Sequence, residues 1–312
     1  MQIVNILAPV LLLVLLGFFL RKISIFEVSF FKNCAKLTYW IGLPALLFMK
    51  IAYAEADFGS SWKISLVMMA AIASVGLIAA VIARLFTQNH RRRRTFVLTS
   101  FYSNTAYVGF PVILYALSIC SGNNRLIDAA SMAVAPMIPF VNLFSIIVMG
   151  SGKASGKLAV RGLLKILKRI LLNPLIIACL SGLLISAMDI TLPNLLTRSL
   201  DSLGNMTLPL ALLSIGAGLS FGSLKGTIFP TVTAALLNIF LLPLIGYLFS
   251  RYFGLSDSYT LIALIFLACP TAAATFVYAR EMDGDHVFAG NVIVLSTLFS
   301  TLSLGLVLAL FL

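Results

Sequence analysis

Runs of about 20 predominantly apolar residues, each enough for one helical crossing of a bilayer, recur along almost the whole of this chain. Ten can be marked, near 4–21, 34–53, 63–86, 95–118, 126–149, 168–188, 202–222, 228–250, 259–279 and 286–311. In lipid every backbone N–H and C=O must find a partner within the protein, and runs of this length do so as helices. The expected fold is therefore an all-α integral membrane protein. Composition points the same way. Only 10% of the 312 residues are charged and 61% are hydrophobic, whereas a soluble domain carries about 25% charged residues. The first run, Val4 to Leu20, has no basic leader or cleavage site, so it reads as a membrane helix rather than a removed signal.

The net charge of +12 is explained by placement. With an external N-terminus, the inside loops hold Arg21, Lys22, Lys32, Lys36, Arg84, Arg91 to Arg94, Lys153, Lys157, Arg161, Lys165, Lys168, Arg169, Lys225 and Arg280. The outside loops hold only Lys50, Lys63, Arg125, Arg198 and Arg251 of the 22 Lys and Arg. This asymmetry places both termini outside the cytoplasm. It also argues against nucleic acid as a partner, because "RRRR" at 91–94 has no interleaved aromatics and suits a topology anchor at a helix mouth. The four cysteines, Cys34, Cys120, Cys179 and Cys269, are scattered without a C-x-x-C and read as packing residues.

Internal similarity divides the chain in two. Pro9 and Gly17 of "LAPVLLLVLLG" match Pro174 and Gly182 of "LNPLIIACLSG", and Pro44 of "GLPALL" matches Pro209 of "TLPLAL", all at an offset of 165 residues. "FGS" recurs at 58–60 and 221–223. A basic Gly/Ser-rich linker at 150–167 separates a first repeat, 1–149, from a second, 168–312. Five spans per repeat is an odd number, so the second repeat enters the membrane inverted, as in many secondary transporters.

Two spans at corresponding places are interrupted. The fourth contains "SNTAYVGFP", 103–111, and the ninth contains "ACPTAAATF", 268–276. Pro111 and Pro270 each remove a backbone donor and disturb the preceding turn, and Gly109 lets the chain bend. Proline also suits the first position of a helix. Each could therefore open a half-helix whose N-terminus, with free N–H groups and partial positive charge, lies at mid-membrane as an anion site. The freed carbonyls need donors. Ser103, Asn104, Thr105, Thr271 and Thr275 can supply them or bind substrate. Tyr107, Phe110 and Phe276 would shape an apolar wall, with Pro44, Asn142 and Pro209 as further wall candidates. Asn142 reads either as a helix–helix hydrogen bond or as a ligand. Gly218-x-x-x-Gly222 reads as a close helix contact.

None of the ten carboxylates sits mid-span, which argues against a carboxylate relay at the membrane centre. "REMDGDH", 280–286, is the densest polar cluster and reads as a solvated turn, or else as a gate or proton sensor using His286. The chain has only His90 and His286 and no zinc motif, catalytic triad or intact phosphate loop, so no enzyme, metal site or cofactor is expected.

"SNTAYVGFPVILYAL" and "CPTAAATFVYAREMDGD" resemble the auxin efflux carrier family of permeases, which includes bacterial permeases for malonate and malate. The resemblance covers the whole chain. It implies two inverted five-helix repeats with broken, crossing helices four and nine, a fold shared with bile-acid symporters. It implies a scaffold domain from spans 1, 2, 6 and 7 and a transport domain from spans 3–5 and 8–10. It also implies a small organic anion bound at the crossover and elevator-type alternating access, with Asn104, Gly109, Pro111 and Pro270 carried over directly. A short central loop suggests a bacterial inner-membrane protein, and a homodimer through the scaffold is a further expectation. Sodium-coupled transport of the bile-acid type, or a non-transporting receptor, are the alternatives.

Overall fold

Proline placement governs how the apolar runs fold in the computed structural model, which describes residues 2–54, 58–120, 124–151, 172–188, 190–218 and 228–311. All regular elements among these residues are helical, apart from a single antiparallel bridge. Among the described residues, five helical runs are long and apolar enough to cross a membrane: Ser29–Ala52, Ser61–Phe86, Arg125–Gly150, Ile228–Tyr252 and His286–Phe311. Thr105–Leu117, Pro174–Ala187 and Asp257–Leu267 are shorter apolar helices. The expected 150–167 linker lies, beyond its first two residues, outside the described residues.

Three five-residue π-helical turns, Thr38–Gly42, Thr105–Gly109 and Leu237–Leu241, each stop two residues before a proline: Pro44, Pro111 and Pro243. The cause is local. A proline cannot donate to the carbonyl four residues back, and a π-turn re-pairs the chain one residue further on. The Leu43 and Leu242 N–H groups accordingly donate to Thr38 O and Leu237 O, five residues earlier. The carbonyl that Pro243 leaves unpaired belongs to Ile239, and the Ser303 hydroxyl donates to it.

The chain forms two units. The first comprises Met1–Trp62, Ala106–Ile138 and Arg169–Leu219, and the second Lys63–Thr105, Pro139–Lys168 and Ser220–Leu312. Spans one and two, and almost all of six and seven, fall in the first unit, and spans three, eight, nine and ten in the second. The fourth and fifth are divided at Thr105 and Ile138.

In the first unit, α1 (Gln2–Lys22) packs on α9 (Asn194–Gly218), and α3 (Leu43–Ala52) packs on α8 (Pro174–Ala187). Glycines set both approaches. A Cβ on Gly17 would run into the Leu213 carbonyl, and one on Gly216 into the Val14 carbonyl with Val14 C at 2.7 Å. On the other pair, a Cβ on Gly182 would meet Phe48 O at 3.0 Å. Gly42 abuts the Thr207 side chain. Gly218, by contrast, has nothing within 4 Å of a built Cβ, and Gly222 lies outside the described residues. The close contact expected at Gly218 is therefore made two residues earlier, at Gly216, because that is the face turned to α1.

The second unit is organised around α5 (His90–Phe101), every residue of which from Arg94 onward is buried. Phe96 lies between Phe86 and Phe288, at ring-centroid distances of 5.8 and 6.3 Å, and Phe101 packs on Phe144 at 4.8 Å.

Helix contacts this close tolerate no added methyl. Gly216→Ala is expected to destabilise the purified protein by about 1–3 kcal/mol through overpacking, and Gly17→Ala by a similar amount. Gly218→Ala should leave the melting temperature unchanged or slightly raised. Equal melting of all three variants would refute the close-approach account.

Candidate functional site

The candidate site lies in the second unit, where two helices are interrupted and joined to each other. α5 ends at Phe101, and Tyr102, Ser103 and Asn104 leave helical geometry before the π-turn begins at Thr105. α12 (Asp257–Leu267) stops at Leu267, and the chain resumes as α13 (Ala274–Glu281) after six intervening residues, 268–273. The interruptions run antiparallel, with Ser103 opposite Thr271. The Asn104 N–H donates to Pro270 O at 2.7 Å, and the Ala272 N–H donates to Tyr102 O at 2.8 Å.

Side chains complete the arrangement reciprocally. The last carbonyls of a helix have no partner of their own. The Ser103 hydroxyl donates to Leu267 O, the final carbonyl of α12, at 3.1 Å. The Thr271 hydroxyl donates to Thr99 O, near the end of α5, at 3.0 Å. Each interruption thus caps the helix of the other. Ser296 accepts from the Thr271 N–H at 3.0 Å, and the Asn238 amide donates to Ser103 Oγ at 3.2 Å. Thr275 is buried, and its hydroxyl donates to Ala272 O at 2.8 Å. Of the two roles open to these hydroxyls in the sequence, Ser103, Thr271 and Thr275 perform the first, satisfying freed carbonyls.

The positions of the prolines correct one expectation. Neither opens a half-helix. Helical structure resumes at Thr105, six residues before Pro111, and Pro111 is buried within the continuous run. Pro270 lies in the extended interruption, four residues before α13. The break in the fourth span is therefore at Tyr102–Asn104. The π-turn absorbs the donor missing at Pro111, so the helix has no need to stop there.

The sequence-derived residues fall into two groups. Asn104, Pro270, Thr271, Thr275, Phe276 and Asn142 belong to the second unit, with Thr105 at its edge. Asn104 is buried, and Phe276 meets His286 edge-on at 5.6 Å. Tyr107, Gly109, Phe110, Pro111, Pro44 and Pro209 belong to the first unit. There the Tyr107 hydroxyl donates to Ala35 O at 3.2 Å, and Phe110 is fully buried. Asn142 on α7 (Asn124–Gly150) takes the first of its two readings. Its Oδ1 accepts from Tyr102 OH at 3.0 Å and from Tyr278 OH at 2.7 Å. Neither tyrosine was singled out by the sequence, because an isolated Tyr in an apolar run carries no signal.

A second connection also escaped the sequence. "RRRR" and "REMDGDH" bind each other within the second unit. Arg91 pairs with Asp283 at 3.0 Å, and Arg92 Nε donates to Asp285 Oδ2 at 2.9 Å. Arg94 is buried and donates to the Met149 and Asp283 carbonyls. The Asp285 N–H donates to Thr95 Oγ1 at 2.9 Å, while Asp285 Oδ1 accepts from the Phe288 N–H at the start of α14 (His286–Phe311). Asp283 takes a left-handed φ of 59°. A Cβ on Gly284 would come within 2.7 Å of Thr95 Oγ1 and Met149 Cε. Arginines at the start of a helix, here Arg91 to Arg93 in the first turn, oppose its dipole, and the two aspartates offset them. The turn is solvent-exposed, as its sequence reads, and it also forms a clasp that joins the start of α5 to the α13–α14 connection.

Comparison with known proteins agrees with a membrane carrier. A family model described as membrane transport protein matches residues 2–308. An uncharacterized transporter of Methanocaldococcus jannaschii is 23% identical over 304 residues, covering 95% of each chain. An uncharacterized transporter of Methanothermobacter thermautotrophicus is 25% identical over 309 residues, covering 95% of this chain and 94% of that protein.

Reciprocal capping makes a specific demand on stability. Thr271→Val keeps the shape but orphans Thr99 O, and should destabilise the protein by about 1–3 kcal/mol. Thr271→Ser should recover most of that loss. Thermal unfolding in detergent reads both, and a Val variant that melts with wild type would refute the capping role.

Proposed function

The chain belongs to the membrane transport protein family, the family its interrupted-span motifs resemble, and from that membership we propose that it is a secondary transporter of a small organic anion. The observation that carries the reading is the paired interruption. Two apolar helices are opened at mid-length and joined to each other, and such backbone is tolerated at membrane depth only where protein buries it or it lines a cavity. The partial positive charge at the start of α13 favours an anion beside the interruption. Asn104 supplies a side-chain amide at that place, and the reading assigns substrate contact to it and to Thr105.

The proposed architecture is ten spans in two inverted repeats. Several contacts support it. Gly17 and Gly182 are equivalent at the 165-residue offset, and each permits a close helix approach. The first joins spans one and seven and the second spans six and two, the exchange that a two-fold relation requires. Gly42 and Thr207, also equivalent at that offset, touch each other, as residues beside such an axis would. In the same reading the substrate moves by an elevator mechanism. A transport body of spans 3–5 and 8–10 carries the crossover against a scaffold of spans 1, 2, 6 and 7, which is also the surface for a homodimer. The protein sits in a bacterial inner membrane with both termini outside.

Purified protein in proteoliposomes tests this. Wild type should show counterflow of labelled malonate or malate, and Asn104→Ala should abolish it while retaining the wild-type melting profile. A receptor that binds without transporting would show no counterflow. Unchanged uptake by Asn104→Ala would overturn the assignment of the site.

A further inference from the structure

Most polar side chains of the crossover are already committed. Ser103, Thr271 and Thr275 are buried and donate to backbone carbonyls. Tyr102, Asn142 and Tyr278 differ, because all three are only part-buried. Polar side chains with residual access along apolar helices mark a substrate or water path rather than a lipid face. Tyr102 is the first residue of one interruption, Tyr278 lies in the half-helix that follows the other, and Asn142 stands on α7 between them in sequence.

We propose that Tyr102 and Tyr278 are the hydroxyl donors of a carboxylate subsite, and that Asn142 is the positioning residue that holds them when no substrate is bound. The proposal rests on the reading of the protein as an organic-anion carrier and names the groups that recognise the anion. Two phenolic O–H groups converge on one sp² oxygen, at 3.0 and 2.7 Å. Their rings are 6.1 Å apart and tilted by 43°, so the tyrosines are not stacked, and the shared acceptor brings their hydroxyls together. Convergence on a planar oxygen is the arrangement one carboxylate oxygen requires. The Asn142 amide oxygen stands in for it.

Chemistry favours exchange of that acceptor. Hydrogen bonds from O–H to a carboxylate are shorter and about twice as strong as those to a neutral oxygen. An arriving carboxylate therefore displaces the amide oxygen. Neither interruption contains a Lys or Arg. Recognition by neutral donors alone suits a carrier, which must release its anion as readily as it binds it.

The test uses the full-length protein in detergent and in proteoliposomes, with malonate, malate and acetate as probes and chloride as control. Wild type should be thermally stabilised by a carboxylate probe and not by chloride. Tyr102→Phe and Tyr278→Phe should each raise the half-saturating concentration by about tenfold or more, consistent with loss of a hydrogen bond to a charged group. Asn142→Asp should stay folded, because its own carboxylate takes both phenols, yet lose the response to every probe. A purely structural trio predicts the opposite pattern, with lowered melting temperatures, unchanged half-saturation in the Phe variants and a retained response in Asn142→Asp. That result overturns the subsite alone. Absence of any carboxylate response or counterflow in wild type overturns the carrier reading, and the subsite with it.

Discussion

Two helices interrupted within apolar segments each expose backbone groups that lipid cannot satisfy, and here each interruption satisfies the other. Unpaired backbone polar groups in hydrocarbon cost several kcal/mol apiece, so a single break would be prohibitive. The Asn104–Pro270 and Ala272–Tyr102 backbone bonds, with Ser103 on Leu267 O and Thr271 on Thr99 O, close most of this deficit in one reciprocal unit. The surroundings serve the same end. Ser296 and Asn238 tie the bridge to neighbouring helices. The arginine–aspartate clasp fixes the far end of α5 to the connection that follows α13. α5 and α13 are therefore each held at the crossover and at the clasp, which gives the proposed transport body a reason to move as one piece.

Proline and glycine divide the remaining work. Prolines that follow π-turns shift a helix's pairing without ending it, as at Pro44, Pro111 and Pro243. Glycines let helices approach until backbone meets backbone, as at Gly17 and Gly216. Interhelical attraction in lipid comes mainly from such close packing rather than from hydrophobic burial. This is why small residues at helix crossings carry more structural information here than the many leucines around them.

Some of the candidate site was legible in the sequence. The polar cluster at 103–105 and the Pro-Thr at 270–271 marked both interruptions, and the need for hydroxyl donors to freed carbonyls followed from the chemistry of backbone in lipid. The location of the first break was legible only to within a few residues. Pro111 suggested a helix start, while the chain restarts at Thr105, because a π-turn offers a proline an alternative to a stop that residue types alone do not reveal. Tyr102 and Tyr278 were illegible, since their role depends on Asn142 reaching both from a third helix.

What the sequence by itself determined is the class of protein. Apolar runs of membrane length, few charges and the family motifs establish an all-helical membrane transport protein, because hydrophobic length and backbone satisfaction are properties of each segment alone. Tertiary structure alone decided the pairings. Which carbonyls Ser103 and Thr271 cap, which glycine meets which backbone, and that "RRRR" closes on "DGD" all depend on segments more than 130 residues apart in the chain arriving side by side. Hydrogen bonds and ion pairs act over a few ångströms, so no local pattern could encode them until the fold brought their partners within reach.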